Sequence, residues 1–232
     1  MKRSICDSLI GVRNLDVVLV HGLYHQPGHM RPLVKALEAR GICAKVPRLH
    51  RGSLANDTQA VQEAVDACRG KPLVVGHSYG GAVATGLEGV EAFVFMAAFV
   101  PDVGESCAVL GGPNAPVNAW VRPFSDGYSY IPADVAQDLF YGDCTPGDVQ
   151  IAKRLLVPQA SGHGRGEIVA AGWRHARSLY LICTQDRAMS PDLQQTMAER
   201  CTDARTFHAS HSVYISRPHA VADEIMAFAR AD

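Results

Sequence analysis

Residues 72–82 read PLVVGHSYGGA, a short apolar run that ends in three glycines around one serine. Glycine lacks a Cβ, so a chain turns sharply there and neighbouring segments can pass close by. Gly76-His77-Ser78-Tyr79-Gly80 matches G-x-S-x-G, in which a strained strand-to-helix turn lifts a serine hydroxyl clear of a sheet. The pattern carries that meaning only with a strand before it and a helix after it. Pro72–Val75 reads as the strand, and a helix is predicted from near Gly80. Ser78 would then stand at a helix N-terminus, where unpaired N–H groups and the helix dipole favour negative charge. A glycine-rich turn with an incidental serine is the competing reading, and the rest of the chain weighs against it.

Short β-like runs alternate with helical periods on both sides of this stretch. DVVLVHG (16–22) predicts a strand and turn, and MRPLVKALEARG (30–41) a helix with Leu33, Val34 and Leu37 on one face. CAKV (43–46) follows as a short strand. Val61, Ala64, Val65 and Cys68 recur at helical spacing over 58–69, with Thr58 or Asp57 as cap. EAFVFMAAFV (91–100) is apolar all round, as a central parallel strand covered on both faces must be. SLYLICT (178–184) is a second such run. PDLQQTMAER (191–200) predicts a helix, ARTFHA (204–209) a last strand and PHAVADEIMAFAR (218–230) a closing helix. This alternation predicts an α/β fold, an open parallel sheet with helices on both faces. Residues 102–172 break the rhythm with six prolines and the aromatics Trp120, Phe124 and Tyr128. The segment is too long for a bare connection. We read it as a small cap inserted into a single domain spanning 1–232.

A serine hydroxyl is a weak nucleophile, and it needs a base that is itself held in place by an acid. After a G-x-S-x-G turn these follow in the chain order serine, acid, histidine, each past the end of a strand. Asp186, directly after the 178–184 run, is the acid of choice. Asp102 is the alternative, and Asp192 reads more simply as a helix cap. His211 is chosen as the base because it lies beyond the last strand, whereas His208 falls within the strand pattern and His219 at a helix start. Charge developing on a carbonyl oxygen needs two N–H donors. Tyr79 N–H is one. Leu23 N–H, in HGLYH (21–25), is the other, with Gly22 allowing close approach. The side chains of Tyr24, His25, Trp120, Phe124 and Tyr128 are the candidate substrate contacts.

His21, His25 and His29 have the i, i+4 spacing at which a helix presents metal ligands, but Gly22, Pro27 and Gly28 break any such helix and no carboxylate accompanies them. GHGRG (162–166) follows no strand, which argues against a nucleotide loop. No metal or cofactor is expected. Among 232 residues, 47% are apolar and 19% charged, and the net charge is −1. That balance describes a folded chain with no basic face for nucleic acid or anionic lipid. No apolar run approaches the roughly 18 residues of a membrane span, and MKRSICDSLIGVRNLD (1–16) lacks the apolar core of a secretory leader. The seven cysteines are scattered without CxxC, as buried apolar residues would be rather than a disulfide framework. The expectation is a cytoplasmic protein acting on a small molecule. Whether it works as a homodimer stays open.

VLVHGLYHQPGHMRPLVKALEARG, LVVGHSYGGAVATG, FVPDVGES and ICTQDRAMSPDLQQTMAER, taken in order, resemble the α/β-hydrolase superfamily. Within it they are similar to the group of plant methyl esterases, hydroxynitrile lyases and bacterial esterases. The likeness covers most of the chain and weakens in the cap. It implies a mainly parallel sheet of about six strands, no cofactor, a triad at Ser78, Asp186 and His211, and oxyanion amides at Leu23 and Tyr79. The activity implied is serine-dependent cleavage of a carboxylic ester of modest apolar or aromatic character. A lactonase or thioesterase would use the same groups, and a ligand receptor could use the same fold. The lyase branch carries a threonine after the first-motif histidine and a lysine after the base; Gly22 and Ser212 stand there instead. One departure stands out in SHSVY: serine precedes the histidine where glycine is usual.

Overall fold

The structure is a computed structural model and describes residues 15–50 and 52–231. The stretch read above for a leader lies outside the described residues apart from Leu15 and Asp16, and so does Cys6. In chain order the elements are β1 (Asp16–Val20), α1 (Arg31–Glu38), β2 (Cys43–Lys45), α2 (Leu54–Asp66), β3 (Leu73–His77), α3 (Tyr79–Thr85) and β4 (Ala92–Met96). The insert adds α4 (Cys107–Gly111), β5 (Arg122–Pro123), β6 (Tyr128–Tyr130), α5 (Ala136–Phe140), α6 (Pro146–Leu155) and β7 (Gln159–Ala160). The chain closes with β8 (Arg177–Cys183), α7 (Pro191–Ala198), β9 (Asp203–Phe207), α8 (Val213–Ser216) and α9 (Pro218–Arg230). One six-stranded sheet runs in the order β2-β1-β3-β4-β8-β9 with every pairing parallel. The insert's β5-β6-β7 form a small antiparallel sheet.

Alternating side chains of the central strands feed two cores. Val17, Leu19, Leu73, Val75, Val94 and Leu181 face α1 and α9, where Leu33, Leu37, Val221 and Ile225 cover them. Val18, Val20, Val74, Phe93, Phe95 and Tyr180 face α2, α3 and α7, met by Val61, Val65, Val83 and Met197. Both faces are thus covered, which is why these strands read as unbroken apolar runs. Register decides where the loops emerge. Val20 pairs with Gly76 and Gly76 with Phe95, so the segments leaving β1, β3 and β4 share one edge. Reactive groups gather at that carboxyl edge in open parallel sheets.

The turn after β3 shows why its glycines are needed. A Cβ on Gly80 would sit 2.3 Å from Val20 O, and one on Gly76 2.8 Å from the Cα of Gly81. Helix α3 therefore lies almost in contact with the main chain of β1.

Three sequence-based boundaries shift. α2 begins a turn earlier than expected and is capped by Ser53, whose Oγ accepts from Asn56 N–H at 3.1 Å; neither Thr58 nor Asp57 is the cap. The 91–100 run is a strand only to Met96. Ala97 then takes a left-handed φ of 42°, and Ala98 N–H turns to Tyr180 Oη at 2.8 Å. His208 lies past the end of β9 rather than within it. Cys68, Cys107, Cys144, Cys183 and Cys201 are free thiols, whereas Cys43 is disulfide-bonded. Among the described residues no helix is long and apolar enough to cross a membrane.

Candidate active site

Ser78 joins β3 to α3 with φ 55° and ψ −125°. A non-glycine residue in such a conformation costs on the order of 1–3 kcal/mol and persists only where its surroundings enforce it. Three main-chain bonds do so: Ser78 N–H donates to Met96 O at 3.3 Å, and Ser78 O accepts from Gly81 N–H at 3.0 Å and Phe99 N–H at 3.1 Å. The apolar continuation of β4 thus braces the turn. Tyr79, the first residue of α3, has an N–H with no acceptor within the helix. Its ring is buried, and its hydroxyl donates to Asp57 Oδ2 at 3.0 Å. Burial and that carboxylate push the Tyr79 phenol well above its usual range.

Asp186 follows β8 and His211 follows β9. Their side chains meet: His211 Nδ1 lies 2.7 Å from Asp186 Oδ2, both groups nearly inaccessible to solvent. The carboxylate is held by three further donors. Ala188 N–H (2.7 Å) and Met189 N–H (3.0 Å) reach Oδ1, and Gln194 Nε2 (2.8 Å) reaches Oδ2. Gln194 is itself fully buried, its Oε1 accepting from Cys183 N–H at 2.8 Å. Nothing in the local pattern marks this residue, because its partners come together only when α7 docks on β8. The carboxylate uses up His211 Nδ1, which leaves Nε2 for chemistry. The alternative acid Asp102 pairs with Arg174 at the surface, and the guanidinium holds its carboxyl below the usual range. His208 and His219 are exposed.

The loop after β1 lies against the serine. A Cβ on Gly22 would come within 3.0 Å of Ser78 Cβ and 3.2 Å of His77 Nδ1. His21 Nδ1 donates to Gly22 O at 3.0 Å while its Nε2 accepts from Leu49 N–H at 3.3 Å. Gly22 O and Leu23 N–H belong to one rigid peptide plane, so this bond fixes the direction of the Leu23 amide. Leu23 N–H has no acceptor among the described residues. His25 donates through Nδ1 to Leu23 O at 2.7 Å and accepts at Nε2 from Tyr141 Oη at 2.9 Å. His77 Nε2 donates to His211 O at 2.9 Å.

Ser78, Tyr79, Leu23 and His211 line one cavity of about 320 Å³. Its other walls are Tyr24, Phe99, Cys107, Val117, Val121, Phe140, Met189 and Leu193, with Asn114 and Ser190 among the polar groups and, among the described residues, no Asp, Glu, Lys or Arg. A larger groove of about 610 Å³ between α2 and residues 167–169 contains none of the triad candidates.

The candidate contact residues divide. Tyr24 lines the cavity, its hydroxyl 3.1 Å from Ser129 Oγ and its N–H donating to Gln159 Oε1 at 2.7 Å. His25 does not: it is fully buried, and both ring nitrogens are spent holding the loop. Trp120, Phe124 and Tyr128 are also outside the lining, 40%, 54% and 43% exposed. Strand alternation explains Tyr128, because its neighbour Ser129 points inward to Tyr24. Trp120 ends a 3-10 turn whose Pro116 and Val117 face the cavity. The pairs Val117/Val121 and Met189/Leu193, each spaced i, i+4, were the aliphatic signal that attention to aromatic rings passes over.

Residues 17–224 match the model of the alpha/beta hydrolase family. The alpha/beta hydrolase nvfD of Aspergillus novofumigatus is 25% identical over 88% of this chain and 92% of its own. A pyrethroid hydrolase from Sphingobium faniae superposes with a TM-score of 0.82 at 19% identity, covering 94% of this chain and 98% of that one. The methylesterase MES16 of Arabidopsis does so at 0.77 and 15%, covering 93% and 98%. With the G-x-S-x-G turn at the carboxyl edge of a six-stranded parallel sheet, these similarities lead to one statement: the chain belongs to the alpha/beta hydrolase family.

Proposed function

We propose that this protein is a serine hydrolase that cleaves a carboxylic ester of small to medium size and apolar or aromatic character through an acyl-enzyme. The observation that carries the reading is the 2.7 Å His211–Asp186 bond beside a cavity that Ser78 also lines. In this mechanism Ser78 Oγ attacks the ester carbonyl while His211 Nε2 takes the hydroxyl proton. Asp186 holds the imidazole tautomer and stabilises the imidazolium. The carbonyl oxygen, now carrying negative charge, accepts from the Leu23 and Tyr79 amides; losing one such donor typically costs about 2.7–4 kcal/mol of transition-state stabilisation. The C–O bond to the alcohol breaks as His211 returns the proton to it. Water then attacks the acyl group with His211 as base, releasing the acid and restoring Ser78.

The lining supports an uncharged substrate, since a charged group would be desolvated there with no partner. A cavity of about 320 Å³ lies at the small end of the roughly 300–1,000 Å³ usual for small-molecule sites. Esters of p-nitrophenol with acids of increasing chain length test both points. We expect a rapid burst of nitrophenol stoichiometric with enzyme, then steady turnover that is fastest for short and medium acyl chains and falls for long ones. No hydrolysis above buffer across the series would overturn the proposal.

A further inference from the structure

The serine before His211 has a partner in the insert. The segment that follows α5 brings Asp143 against the loop after β9. Asp143 Oδ1 accepts from Ser210 N–H at 3.1 Å and from the Ser210 hydroxyl in a shorter bond. Ser210 Oγ is also 3.2 Å from Phe140 O, and Ser212 N–H donates to that same carbonyl at 3.0 Å. The Phe140 ring lies 5.7 Å from the His211 ring and lines the cavity. Arg217 Nε approaches the other oxygen, Asp143 Oδ2, at 3.7 Å.

The base therefore sits in a loop anchored from separate parts of the molecule. Gln185 N–H holds Ala209 O at 3.0 Å from the acid loop, and His77 holds His211 O from the serine turn. Ser210 and Ser212, the residues flanking the base, are bonded to the insert. A glycine at 210 would offer its N–H to Asp143 and nothing more. Serine adds a second, charge-assisted bond to the same oxygen, and such bonds are roughly twice as strong as neutral ones.

We propose that Asp143, through Ser210, is a positioning residue for His211, so that the insert enclosing the substrate also sets the geometry of the base. This rests on His211 being the base of the proposed hydrolase. A misplacement of about 1 Å in a reacting group can cost on the order of 100-fold in rate, and the loss should appear in kcat, because Asp143 does not line the cavity.

The test is steady-state kinetics on a short p-nitrophenyl ester, with each variant's active sites counted by its nitrophenol burst. Asp143→Ala should lower kcat per site by about 10- to 100-fold with KM within about threefold. Asp143→Asn, which keeps an acceptor at the same place, should recover most of the rate. Ser210→Gly should cost about threefold to tenfold in the wild-type background and nothing further in Asp143→Ala, since neighbours in one network are not additive. Should Asp143→Ala fail to fold, Ser210→Gly and Asp143→Asn still decide the matter. Unchanged kcat per site in Ser210→Gly, or a loss confined to KM in Asp143→Ala, would overturn the proposal. Failure of the hydrolase reading is distinct, because wild-type turnover would then be absent or survive Ser78→Ala.

Discussion

Ser78→Ala is expected to fold as the wild type does and to lose about six orders of magnitude in kcat on p-nitrophenyl esters. The fold should tolerate the change because the turn is held by main-chain bonds from Met96, Gly81 and Phe99 rather than by the hydroxyl. The loss is large because an acyl-enzyme cannot form without Oγ. What remains, on the order of 10³–10⁴ over water, would come from the oxyanion donors and from holding the ester in place. Turnover by the purified variant, alongside its thermal midpoint, checks this. More than about one-hundredth of wild-type turnover would show that some other group performs the attack.

The second large effect is on stability in acid. His21, His25, His29 and His77 are buried within and beside the loop that follows β1. Loss of hydration on burial is the leading cause that lowers each of them: His21 to about 3 and His29 to about 4, with His25 and His77 also well below 6.5. A histidine kept neutral in the folded state binds fewer protons than in the unfolded chain once the pH drops below about 6.5. Stability therefore falls as the pH falls, from about 6.5 down to the folded-state values. At pH 5 each of His21 and His29 removes about 2 kcal/mol relative to pH 7.5, and His25 and His77 act in the same direction. For a chain of this size about 4 kcal/mol corresponds to a fall of roughly 8–16 °C in Tm. Thermal unfolding at pH 7.5 and pH 5.0 measures it. An equal or higher Tm at pH 5.0 would contradict these imidazoles being neutral. The same neutrality serves the site, since neutral His21 and His25 both accept at Nε2 while donating at Nδ1 to the carbonyls of Gly22 and Leu23.

The sheet was legible because strands buried on both faces read as bare apolar runs, and because the glycines at 76 and 80 answer to close approaches that any side chain would block. The proximity of Asp186 and His211 could be inferred from chain order alone, since residues just past successive parallel strands emerge at one edge. The cavity walls were less legible. The insert lacks a strong period, so which face of each short element points inward depends on tertiary packing; Ser129 turns in and Tyr128 out. Large aromatic rings attract a binding interpretation, yet Trp120, Phe124 and Tyr128 stand outside the cavity, and the pairs at 117/121 and 189/193 share its walls with Tyr24, Phe99 and Phe140. Gln194 and Asp143 were invisible for another reason. Each acts through a hydrogen bond to a residue brought near only by folding, and no local spacing records that.

The most direct measurement is the rate at which a fluorophosphonate labels Ser78, followed by mass spectrometry of the modified peptide, in wild type and in His211→Ala. Phosphonylation needs the hydroxyl proton removed, so it reports the base acting on the serine without reference to any substrate. We expect a single stoichiometric adduct on Ser78 in the wild type, and labelling slower by at least about 1,000-fold in His211→Ala. Equal labelling rates in the two proteins, or an adduct on a residue other than Ser78, would contradict the account.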